Sequence, residues 1–92
     1  MKPLRIELEF PEDLSAAVHW YTEYAPAHAD HFRAKIQQYL ESIERFPESF
    51  PFVAKARRGA MLRGFPWMIV YSEERDFILI VRLIHTASNW SK

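Results

Sequence analysis

Between Lys55 and Arg63, in KARRGAMLR, four cations fall within nine residues, and the chain then turns apolar through a Phe-Pro corner in GFPWMIVY. Clustered Lys and Arg are what a phosphate or an acidic protein surface requires. A second cation, Arg82, stands inside the apolar run FILIVRLIH. There a guanidinium must be matched by a carboxylate or face an open functional surface, and the residues leave both readings open. His85 follows as the one side chain of HTASNWSK suited by type to proton transfer near neutrality, with a hydrogen-bonded structural histidine as the alternative. His28 and His31 flank Asp30 at helical i, i+3 spacing. Without a third ligand at a defined spacing they read as a surface helix start, and no metal or cofactor is expected. The chain has no Gly-rich phosphate loop, nucleophile elbow or Ser/His/Asp ordering.

These groups must be positioned by a chain of 92 residues, which bounds the expectation to one domain over 1–92 with a terminal tail at 86–92. With 49% hydrophobic and 15% aromatic residues and two Gly, the composition is that of a compact globular protein. There is no cysteine, no secretory signal pattern in MKPLRIELEF and no run long enough to span a membrane, so a cytoplasmic location is expected. The zero net charge hides an asymmetry. Residues 1–50 hold five Lys/Arg against nine Asp/Glu, a net −4, and residues 51–92 hold seven against three, a net +4. Either the halves neutralise each other in the fold or the domain is polarised toward a charged partner.

LRIELEF alternates Leu4, Ile6, Leu8 and Phe10 with Arg5, Glu7 and Glu9, which predicts a first strand. Pro11 suits a first helical position, and Leu14, Ala17, Val18 and Tyr21 continue at helical spacing until Pro26. Trp20, Tyr21 and Tyr24 are expected in the core between helix and sheet rather than as a base-stacking platform. Ala29, Phe32, Ile36, Tyr39, Leu40, Ile43 and Phe46 predict a second helix closed by Pro47, and the proline-rich FPESFPFV predicts a loop. GAMLRGF, PWMIVYSE and FILIVRLIH then read as three antiparallel strands, with Met61 and Arg63 sharing one face. The expected fold is α+β, ordered β-α-α-β-β-β, with a helical hairpin on one face of a mainly antiparallel four-stranded sheet.

This order resembles the RelE/ParE toxin superfamily of type II toxin–antitoxin pairs, and most closely its ParE-like, plasmid-stabilisation branch. The residues that carry the likeness are Asp13 and Leu14, Trp20 and Tyr21, IERFPESFP, Arg57 and Arg58, LRGFPWMIVY, and Ile84 with His85. The resemblance implies a toxin neutralised by a cognate antitoxin. It also implies one of two mechanisms: ribosome-dependent mRNA cleavage, as in RelE-like members, or inhibition of DNA gyrase, as in ParE-like members.

RNA cleavage through the 2′-OH needs a base, an acid and cations around the phosphate. RelE-like relatives hold a key Arg in the strand that here reads WMIVY, where Met68 stands instead, and many place Arg after the last strand, where this chain has Thr86, Ala87 and Ser88. A thioether neither neutralises a phosphate nor moves a proton. The preferred reading is therefore a toxin that binds a protein target. Arg57, Arg58, Arg63, Arg82, His85 and Trp90 are its candidate contacts to target or antitoxin. The alternatives are a ribosome-dependent endoribonuclease using Arg57, Arg58, Arg63 and His85 on ribosome-bound mRNA, and a non-toxic binding module, with a homodimer as a further partner arrangement.

Overall fold

A computed structural model of the protein describes residues 1–87. Five strands and two α-helices follow one another as β1 (Leu4–Ile6), α1 (Glu9–Tyr24), α2 (Pro26–Arg45), a 3-10 turn (Pro47–Ser49), β2 (Phe52–Ala54), β3 (Arg57–Met61), β4 (Trp67–Glu73) and β5 (Ile78–His85). The sheet order is β1-β5-β4-β3-β2, with β1 parallel to β5 and the other neighbours antiparallel.

The additional strand β2 comes from the segment expected to be a loop. Pro47 and Pro51 interrupt regular structure only up to residue 51, and Pro51 still has an acceptor, which receives the Gly59 N–H at 3.0 Å. β1 in turn is shorter than its alternation predicts. Leu8 already has helical backbone angles, so the chain enters α1 at Glu9 and Pro11 falls third, where a missing N–H still costs no intrahelical bond. Leu8 is left 75% exposed, and Phe10 is buried from the helix instead of from a strand.

Ala25 alone joins the helices: its N–H donates to Tyr21 O at 2.8 Å while its own carbonyl accepts from His28 N–H at 2.9 Å. Pro26 then opens α2, where its fixed φ is already helical. From α1, Ala17 and Tyr21, and from α2, Phe32, Ile36 and Ile43, pack onto Ile69 and Tyr71 of β4 and Ile78, Ile80 and Leu83 of β5. Each fully buried large side chain contributes about 1.5–3 kcal/mol. Trp20 and Tyr24, expected in this core, are 51% and 73% exposed. They follow Ala16 along the i, i+4 row of α1, one row outside Ala17 and Tyr21, so only Tyr21 of the three aromatics reaches the sheet.

On the side of the sheet away from the helices, Met68, Val70 and Val81 form a second buried cluster with Val53, Leu79 and Ile84 packed against it. β5 is thus apolar on both faces. It also carries a bulge: Val70 faces Arg82 and Tyr71 faces Ile80, leaving Val81 as the extra residue.

Candidate functional site

The cations of KARRGAMLR do not converge. Arg58 lies directly opposite Tyr71, a residue of the helix-side core, and therefore points toward that side. Its guanidinium stacks 3.9 Å from the centre of the Phe52 ring and donates to Phe50 O at 2.7 Å. It braces the segment leading into β2. Arg57, its neighbour on β3, is exposed and by alternation faces the other way. Arg63 is not on a strand face with Met61, because β3 ends at Met61 and the chain turns directly after Leu62. Arg63 instead occupies the β3–β4 turn, with its backbone N–H donating to Tyr39 Oη at 3.1 Å.

Arg82 resolves toward the carboxylate. Its Nε and Nη2 donate to Oδ2 and Oδ1 of Asp13 at 2.7 and 2.9 Å, and the Leu83 N–H donates to the same carboxylate at 3.0 Å. The bond to Asp13 raises the Arg82 pKa further above its ordinary value, with the charges of Glu9 and Glu12 adding to it. β1 pairs with β5 only through Ile78–Ile80, so beyond that point Asp13 supplies what the next strand residue would have supplied. Asp13 is a residue whose role the sequence did not disclose; it stood out there only with Leu14, as part of the family likeness.

His85 closes β5 opposite Trp67, their rings 5.1 Å apart and edge to face. Its Nδ1 accepts the Ala87 N–H at 3.2 Å. Arg58 and His85 are separated by the four residue steps along β4 from Tyr71 to Trp67, about 13 Å of strand. Arg63 and His85 share one end of the sheet, and Arg57 and Arg58 the other. No group of three or more His, Cys, Asp or Glu among the described residues could hold a metal. Trp90 lies outside the described residues.

At the His85 end the molecule has a concavity. Ala16, Trp20 and Tyr21 of α1 form one wall, and Pro66, Trp67 and His85 the other, around a largely apolar cleft of about 640 Å³. The Trp67 indole N–H donates to Tyr21 Oη at 3.1 Å, which ties the two walls together at the floor. Trp20 stands edge to face on Tyr21, ring centres 5.2 Å apart, and tilts toward Tyr24 at 5.4 Å. A cleft of this size and polarity takes apolar or aromatic groups. Sequence spacing showed Trp20 and Tyr21 but not the wall that faces them, which comes from two segments more than forty residues away.

Met68 lies under none of this. It is 4% exposed, and a Cβ placed at Gly59 would collide with its sulfur and with a Val53 methyl. The thioether therefore fills the space that a glycine on the neighbouring strand leaves open.

The family described as ParE toxin of type II toxin–antitoxin system, parDE, matches residues 4–90. A solved chain from the chromosomal ParDE toxin–antitoxin system of P. aeruginosa is 18% identical, with a TM-score of 0.81 over 92% of this chain and 96% of that one. The comparison with curated proteins gave no match.

Proposed function

Because the chain belongs to the ParE toxin family of type II toxin–antitoxin systems, we propose that it arrests growth by binding a protein target, DNA gyrase first among the candidates. A cognate antitoxin neutralises it in the cytoplasm. The observation that carries this reading is Met68. Where a nuclease relative holds Arg, this chain packs a thioether over Gly59 and against Val53. Charge at that position would have to be buried in an apolar cluster without a partner, which is strongly unfavourable. Of the cations proposed as contacts, Arg57 and Arg63 are exposed and suited to a partner's carboxylates, whereas Arg58 and Arg82 act through the segments they hold.

The test is a supercoiling assay with purified gyrase. Blocked supercoiling or accumulated DNA breaks, relieved by the product of the neighbouring reading frame, is the expected result. Unimpeded growth of bacteria expressing the protein alone at high yield would overturn toxicity in favour of the non-toxic binding module.

A further inference from the structure

We propose that β1 is a self-recognition edge, through which two copies of this chain pair antiparallel about a two-fold axis at Ile6. The inference goes beyond the neutralisation reading and does not depend on it. β1 lies at one end of the sheet order, so only one of its edges is covered, by β5. Alternate residues make the bonds to β5: Pro3 O accepts from Ile78 N–H and Glu7 N–H donates to Ile80 O, both at 2.9 Å. Arg5 lies between them in the same phase of the ladder, so Leu4 and Ile6 turn their N–H and C=O groups to the open edge. Such an edge is a template for another strand.

The side chains along it are uncovered. Leu4 packs against the helix-side core, and by alternation Ile6 shares its face. Ile6 is 45% exposed, and Leu8, at the entrance to α1, 75%. Arg5 and Glu7 stand on the opposite face. The Arg5 guanidinium lies 4.4 Å from the centre of the Phe77 ring, and neither Arg5 nor Glu7 has an opposite charge within ion-pair distance among the described residues.

Charge fixes both the occupant and the register. In an antiparallel pair centred on Ile6, the two Ile6 residues exchange their backbone bonds. Arg5 then falls opposite the partner's Glu7, and Glu7 opposite the partner's Arg5. Moving the axis by one residue sets Arg5 against the partner's Arg5, or Glu7 against the partner's Glu7, and like charges directly opposite are destabilising. Arg-Ile-Glu is thus its own antiparallel complement, which a second copy supplies. The neighbouring charges do not oppose this pairing. Lys2 is held by Glu73 at 3.1 Å and Glu74 O at 2.7 Å, and Arg75 and Asp76, in the turn before β5, cancel in sign. Glu9 and Glu12, in the first turn of α1, add their charges to the Asp13–Arg82 pair. Glu9 is three positions from the axis, which leaves it roughly 15–20 Å from the partner's Glu9, beyond the screening length of about 8 Å. A three-residue ladder is short, so the dimer is weak, with a Kd on the order of tens of micromolar.

The experiment is sedimentation velocity on the full chain alone, from about 1 to 300 μM. The wild type is expected to pass from monomer to dimer, and less readily at high salt. Arg5→Glu and Glu7→Arg, each alone, set like charges opposite one another at both contacts and weaken self-association about tenfold. An equimolar mixture of the two variants restores it, because every contact in the mixed dimer again joins opposite charges. Arg5→Glu gives up the stack on Phe77, so exchange of the wild-type Ile6 amide covers the case in which that variant fails to fold. Its exchange is expected to slow as protein concentration rises. A chain that stays monomeric, a dimer that neither variant weakens, a mixture as weak as its components, or an Ile6 amide indifferent to concentration overturns the self-recognition edge. Each of these leaves neutralisation by an antitoxin intact.

Discussion

The β2–β3 hairpin and the α1 cleft invert what their sequences suggest. The hairpin concentrates charge in one continuous stretch, yet Arg58 spends its guanidinium on Phe50 O and the Phe52 ring. The cleft draws on three separated segments, and among the described residues its titratable groups are His85 and Tyr21, the tyrosine already bonded to Trp67. Density of charge along a chain marks neither convergence nor availability. A concave surface needs walls from different elements, and only the fold supplies them.

If the hairpin region is chiefly structural and the cleft chiefly a binding surface, substitutions in the two should separate stability from partner affinity. The largest stability effect is expected at Gly59→Val, whose side chain must displace Met68 and Val53. Overpacking of this kind costs about 3 kcal/mol, read as a lower urea midpoint. Next comes Asp13→Ala, which leaves Arg82 and the Leu83 N–H without their acceptor. Loss of a charged hydrogen-bond partner costs about 2 kcal/mol, and it reopens the β5 edge, so faster exchange of the Leu83 amide accompanies it. Arg58→Ala should cost about 1–2 kcal/mol through the lost bond to Phe50 O and the lost stack on Phe52. Its affinity for the antitoxin should remain within about twofold; a larger loss would move the hairpin into the interface.

The smallest effect is one of pH. Burial pushes the Tyr71 pKa up to about 12, against an opposing contribution from Arg58, and its hydroxyl donates to Pro47 O. The folded state thus holds the phenolic proton more tightly than the unfolded chain, whose tyrosines titrate near 10. The stability this gives is complete below pH 10 and declines as pH rises from about 10 to 12. Ultraviolet titration at the tyrosinate band, compared with Tyr71→Phe, reads it directly. In the variant that part of the alkaline decline should vanish.

The elements that dominate the core were legible because their signal is periodic. Phe32, Ile36 and Ile43 are buried as the α2 spacing predicts, and β5 is apolar on both faces as its run of Ile, Leu and Val predicts. β2 was hidden because prolines on its flank outweigh three ordinary residues in any local reading, although a proline keeps its carbonyl for the ladder. Trp20 and Tyr24 were misplaced because helical spacing fixes a face only to within one residue row. Arg63 left its predicted strand because the chain turns directly after Leu62, whose N–H donates to Trp67 O at 2.9 Å, through Gly64 at a φ of 88°. The choice for Arg82 was framed correctly but depended on a carboxylate sixty-nine positions away, and such a pairing is a property of tertiary structure.

The central claim is that this ParE-family chain acts through binding and not by cutting RNA. The most direct measurement adds the purified protein to a reconstituted translation system and maps the 5′ ends of the message. The expected result is intact mRNA. Codon-positioned cuts that disappear in Arg63→Ala or His85→Ala would contradict the account.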